Sequence, residues 1–272
     1  MSTTEKKAGF IGAGNMATAL IKGVIGSGLY YPERINAYDN DPEKLKSIYE
    51  TYHVEGVQSN CELVKSCNII VLAVKPQVMN AVLKEIKDEM TKDHIVISIA
   101  AGIQIATIQS FLGQDVPVIR VMPNTPALIQ RGVSAVAAGA AVTPDQLSIA
   151  IDILRAVGIA FTVDEAMMDA VTAVSGSGPG FIFKIMECFV DATEKQGFDA
   201  ETARDMVINT FLGAAMLAES SGHSLSELRK MVTSPGGTTQ AGLEYMDANR
   251  FGEIIDGTVE TARARSIELG KK

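Results

Sequence analysis

The chain has 272 residues, with 24 Lys and Arg against 32 Asp and Glu, and a formal net charge of −8. That acidic balance, without a Lys/Arg-rich run, argues against nucleic acid or an anionic membrane surface as a partner, and a 47% hydrophobic, 21% charged composition excludes a disordered or coiled-coil chain. Cys61, Cys67 and Cys188 form no Cys-x-x-Cys pair and no run of 18 apolar residues occurs, so a reduced, metal-free protein of the cytoplasm is expected.

In chain order, short apolar runs alternate with segments of helical period. Ala8–Ile11 reads as a buried strand, followed by Gly12-Ala-Gly-Asn-Met-Ala17 and a helix to about Gly26. Ile35–Tyr38 is a second strand. Asp41 as N-cap and Pro42 at the first helical position then open a helix through Tyr52. Residues 69–74 and 95–99 are β-branched runs of the kind found in parallel strands covered on both faces, and 76–90 between them has helical period. Residues 116–121 and 133–136 add strands. Thr143-Pro-Asp-Gln146 carries a capping box, with Leu147, Ile151 and Leu154 on one face of the helix it opens. This alternation predicts an α/β Rossmann domain, doubly wound with a mostly parallel sheet, over residues 1–163.

Beyond that the pattern changes. Residues 164–272 show no strand, only helical segments punctuated by glycines, and predict an all-α domain. Asp199 and Ser224 mark helix starts, the second as the capping box Ser224-Leu-Ser-Glu227. Residues 181–190 and 207–217 are apolar around much of their circumference, which predicts burial against a second copy.

Two features carry chemistry. Gly12-x-Gly14-x-x-Ala17, between a strand and a helix, fits a dinucleotide fingerprint: Gly12 for the tight turn, Gly14 for backbone approach to the pyrophosphate, Ala17 for close helix packing. Asp39 at the end of the second strand suits the ribose hydroxyls of NAD and would repel the 2′-phosphate of NADP, so NADH preference is expected. The second feature is a pair of glycine-rich breaks, Ser175-Gly-Ser-Gly-Pro179 and Ser234-Pro-Gly-Gly-Thr-Thr239, read as hydroxyl- and amide-lined pockets for a carboxylate. His53, His94 and His223 lack companions for metal or nucleophilic chemistry. A reductase without an evident His or Lys acid suits a cyclic imine, which is protonated in solution and already electrophilic.

Taken together, these motifs resemble pyrroline-5-carboxylate reductase. The resemblance runs from Phe10-Ile-Gly-Ala-Gly-Asn-Met16 through Ala73-Val-Lys-Pro76, Ser98-Ile-Ala-Ala-Gly102, Met122-Pro-Asn-Thr-Pro126 and Asp169-Ala-Val-Thr172 to the two glycine-rich segments. It implies reduction of (S)-1-pyrroline-5-carboxylate to L-proline by NAD(P)H, the last step of proline biosynthesis. It implies cofactor contacts from Ile11, Gly12, Ala13, Gly14, Asn15 and Met16, then from Tyr38, Asp39, Asn40 and Asn60. Further along it adds Ala73, Val74, Lys75 and Pro76, with Ile99, Ala100, Ala101 and Asn124. Substrate contacts implied are Glu165, Ser234, Gly236, Gly237, Thr238 and Thr239, with Thr239 the catalytic group nearest the imine nitrogen. Glu165 also suits a first helical turn, where the dipole favours an acid. The resemblance further implies homodimers interlocked through the helical domain, often assembled into decamers. The chain departs from it at Tyr38-Asp39-Asn40, where many members carry Ser-Asn-Arg. A β-hydroxyacid dehydrogenase and a non-catalytic dinucleotide sensor are the alternatives.

Overall fold

The computed structural model describes residues 6–270. Eight strands form one sheet in the order β3-β2-β1-β4-β5-β6-β7-β8. Strand β1 (Ala8–Ile11) pairs in parallel with β2 (Ile35–Tyr38) and β4 (Ile69–Leu72). On one side β2 leads to the two-residue β3 (Glu55–Gly56), and on the other β4 leads to β5 (Ile95–Ser98) and β6 (Val118–Met122), all parallel. Strand β7 (Gly132–Ala138) joins β6 antiparallel, and β8 (Gly158–Thr162) runs parallel to β7. All four residues of β1, β4 and β5 are buried, so the uninterrupted apolar runs reflect helices on both faces. The chain reverses its winding between β1 and β4. Such a switch point opens a crevice at the carboxyl ends of those strands.

The helices of this region are α1 (Asn15–Gly26), α2 (Pro42–Tyr52), α3 (Asn60–Ser66), α4 (Pro76–Ile86), α5 (Ile105–Leu112) and α6 (Pro144–Arg155). Asp41 caps α2 by accepting from the Glu43 amide, and Thr143 with Gln146 forms the expected capping box on α6. Several details differ from the sequence reading. Strand β4 stops at Leu72, where its pairing with Ile11 of β1 and Ser98 of β5 ends, and α4 stops at Ile86, followed by a turn in which Met90 is buried. Helix α6 buries Ile149, Ala150, Ile153 and Leu154, so its core face is rotated from the stripe drawn through Ile151. Helices α3 and α5 and strands β3 and β8 go beyond the elements the sequence predicts.

After β8 the chain is helical, as expected: α7 (Met168–Val171), α8 (Gly178–Glu194), α9 (Ala200–Ser221), α10 (Leu225–Met231), α11 (Thr238–Ala248) and α12 (Phe251–Gly270). Residues Thr172–Gly176 form a π-helical turn in which the Ser177 amide reaches back to the Thr172 carbonyl at 2.8 Å. The segment Ser175–Pro179 is therefore a widened helix leading into α8 rather than a break between helices. Two compact units result. The sheet-bearing unit extends to Ser177 and resumes at Ala262; the other is Gly178–Thr261. Within the first, Ser266 near the end of α12 is buried and donates to Asp169 at 2.6 Å. Among the described residues no helix is long and apolar enough to cross a membrane.

Candidate active site

The loop after β1 is shaped by two glycines with different duties. Gly12 donates its amide to the Tyr38 carbonyl at 2.8 Å, with φ +100°, and a Cβ there would stand 2.7 Å from the Ala73 carbonyl oxygen. No other residue fits between the ends of β2 and β4. Gly14 is the N-cap of α1 in extended conformation, and nothing lies within 4 Å of where its Cβ would be. That open space belongs to a cleft of about 400 Å³ which Gly14 itself lines. No side chain caps α1 and its first turn holds no acid, so its free amides and positive dipole end face the cleft. An uncapped helix N-terminus of this kind favours an anion.

Further out the cleft is lined by Tyr38, Asp39 and Asn40, the predicted residues after β2. The Asp39 carboxylate accepts the Ala13 amide at 2.8 Å and the Asp41 amide at 2.9 Å, and pairs with the Lys44 ammonium at 3.3 Å. Burial alone would raise its pKa, but these two amides and the ammonium outweigh that and hold the carboxyl below its ordinary range. It is an anion throughout the neutral range.

The opposite wall comes from β4 and α4. Ala73, Val74 and Lys75, all predicted, line it together with Val78, Ala81, Val82 and Glu85, which were not. The latter four recur at helical spacing on one face of α4. Their period was visible, but periodicity does not tell a core-facing stripe from one facing a cleft. Asn60, predicted, stands at the start of α3 with 5% of its surface exposed.

Other predicted residues lie outside the cleft lining. Ala13 is occupied with Asp39, Asn15 begins α1, Met16 packs on the core and Pro76 opens α4. Ile99, Ala100 and Ala101 follow β5, one strand further along the same edge of the sheet. The Asn124 amide is engaged within the protein: its Nδ2 donates to the Ser175 carbonyl and hydroxyl at 3.2 Å, and its Oδ1 accepts the Val133 amide at 2.8 Å. It anchors the π-helical turn.

Glu165, a predicted substrate contact, has a structural duty here. Its Oε1 accepts the Ile105 amide, the first of α5, at 2.8 Å and the Arg120 guanidinium at 3.2 Å. The Arg120 side chain is only 7% exposed. Glu165→Ala should lower stability by about 1–3 kcal/mol, because it strands a buried guanidinium and a helix-terminal amide. An unchanged denaturant midpoint would overturn this structural duty.

The predicted substrate turn belongs to the Gly178–Thr261 unit. Pro235 and Gly236, at φ +68°, form a type II pattern closed by the Gly237 amide on the Ser234 carbonyl at 3.0 Å. The Gly236 amide donates to Gln240 Oε1 at 2.8 Å. Those two amides therefore hold the turn itself, and the amides free of intrahelical partners are those of the first turn of α11, beginning at Thr238. Ser234, Thr238 and Thr239 are exposed around it.

Residues 165–269 match a family model described as pyrroline-5-carboxylate reductase dimerisation. Residues 7–102, which contain the whole cleft lining, match one described as NADP oxidoreductase, coenzyme F420-dependent. The pyrroline-5-carboxylate reductase of Pseudomonas aeruginosa is 44% identical over 264 residues, 97% of this chain and 96% of that protein. The chain belongs to the pyrroline-5-carboxylate reductase family. The solved reductase of Coxiella burnetii is 37% identical with a TM-score of 0.92, covering 97% of this chain and 98% of that one. The Plasmodium falciparum reductase, solved with NADP bound, is 30% identical with a TM-score of 0.86 and the same coverage. As in a family of nicotinamide-dependent oxidoreductases, the dinucleotide fingerprint sits on a parallel sheet ahead of a helical part. Its dimerisation segment exposes Ile182, Phe183, Phe189, Met206, Leu212 and Met216 here, apolar area that a second copy would cover.

Proposed function

We propose that this pyrroline-5-carboxylate reductase family member reduces the C=N bond of (S)-1-pyrroline-5-carboxylate to L-proline and takes NADH in preference to NADPH. When bound, the dihydronicotinamide supplies the hydride. The observation that carries the cofactor choice is Asp39: an anion on the cleft wall, held by two amides, that can accept from ribose hydroxyls and opposes a 2′-phosphate. Lys44 tempers that charge without replacing it. In this reading the amides of the first turn of α1 hold the diphosphate, and Gly14 keeps the approach open. The Ser234 hydroxyl and the first-turn amides of α11 hold the substrate carboxylate, and the Thr239 hydroxyl serves the ring nitrogen. No strong acid is needed there, since a protonated imine already accepts hydride; the residues orient it.

Steady-state turnover of pyrroline-5-carboxylate with each nicotinamide donor tests this. kcat/KM should be about tenfold or more higher with NADH, the discrimination of roughly 1.4 kcal/mol expected from one charge opposition. A higher kcat/KM with NADPH overturns the cofactor choice, and no turnover with either donor overturns the activity.

A further inference from the structure

Helix α11 opens with half of a capping box. In the complete form the N-cap side chain takes the N3 amide, while the N3 side chain reaches back to the N-cap amide. Both halves are present at Thr143–Gln146 and at Ser224–Glu227. At α11 the N-cap is Gly237, which has no side chain to give, and its amide is already engaged by the Ser234 carbonyl. Gln240, the N3 residue, reaches one position further back, and its Oε1 accepts the Gly236 amide at 2.8 Å. Its Nε2 donates to Glu244 Oε1 at 2.8 Å, one turn along the helix. A carboxylate accepts and does not donate, so Glu244 fixes the Gln240 amide with Oε1 toward the turn. The missing half is an acceptor for the amides of Thr238, Thr239 and Gln240. A Cβ on Gly237 would collide with the Ser234 hydroxyl, which thus stands where a capping side chain would start. The first turn also holds no acid, although the dipole favours one there.

We infer that Gln240 is a positioning residue: it holds the Gly236 amide, and with it the turn, so that the substrate carboxylate completes the capping box from outside. This rests on the reading of the Ser234–Thr239 turn as the substrate site. The neutrality of Gln240 is part of the role. A glutamate at N3 makes the same reach-back bond, as Glu227 does on α10, but here it would set an anion beside the incoming carboxylate. Glutamine holds the turn without that repulsion, and the negative charge that orients it is kept a turn away, at Glu244.

The test compares Gln240→Leu, Gln240→Glu and Ser234→Ala with wild type in the full-length enzyme, measuring KM and kcat for pyrroline-5-carboxylate and KM for the dinucleotide. Gln240→Leu removes the acceptor and should raise KM for pyrroline-5-carboxylate about fivefold, the worth of one neutral hydrogen bond, with kcat and the dinucleotide KM retained. Gln240→Glu keeps the acceptor but adds the anion. Its KM relative to wild type should also rise, and the rise should shrink between about 0.01 M and about 1 M salt, as the screening length falls from roughly 30 to roughly 3 Å. The leucine variant should show no such relief. If Ser234→Ala raises KM and Gln240→Leu does not, the inference falls and the substrate turn stands; if neither raises it, the reading of the turn falls as well. A glutamate variant equal to wild type at both salts, or a dinucleotide KM or unfolding temperature that shifts in step with the substrate KM, overturns the inference and reduces Gln240 to a structural contact.

Discussion

Gly14→Val should raise KM for the dinucleotide about 100-fold while leaving the unfolding temperature nearly unchanged, losing one or two charge-assisted hydrogen bonds of roughly 1.5–3 kcal/mol each. The backbone at Gly14 has φ −76° and ψ 179°, which any residue adopts, and no protein atom would meet the new side chain. The isopropyl group instead occupies the space in front of the amides of α1. Cofactor titration and thermal unfolding on the same sample separate the two effects. Unchanged affinity would mean that the dinucleotide binds elsewhere. Gly12 provides the contrast: at φ +100° and 2.7 Å from the Ala73 carbonyl, even Gly12→Ala would disturb the loop itself and could not isolate binding from folding.

Thr239→Val should reduce kcat for pyrroline-5-carboxylate by roughly 10- to 100-fold, the worth of one hydrogen bond to a charged group, with KM for the dinucleotide unmoved. Valine keeps the shape and removes only the hydroxyl. Thr239 lies in the first turn of α11, exposed, and Gly237 rather than its own side chain caps that helix. Stability should accordingly change little. A variant with wild-type turnover would remove the hydroxyl from the reaction.

Much of the architecture was legible in local chemistry. Asp41, Ser224 and the Thr143–Gln146 pair cap the helices they were expected to open, because capping is settled within four residues by side chains competing for terminal amides. The apolar runs of β4 and β5 announced strands covered on both faces. Strand β8 carries a local signal of its own, Val157, Ile159, Phe161 and Val163 at period 2, and is paired with β7 in the sheet.

The candidate site divides in the same way. The residue types of the loop after β1 and of Asp39 follow from the chain alone: a turn at positive φ admits glycine, and an acid after β2 is chemistry readable at one position. Which partner each polar group takes is settled only by packing. Glu165 could have been a ligand contact or a first-turn acid, and the fold brings it to α5 and Arg120, residues 60 and 45 positions away in the chain. Asn124 is bound to Ser175 and Val133, Ala13 to Asp39, and Asn60 to Glu85. Hydrogen bonds across such separations carry no periodic signature, because their geometry is created by the register of the sheet and the docking of helices upon it.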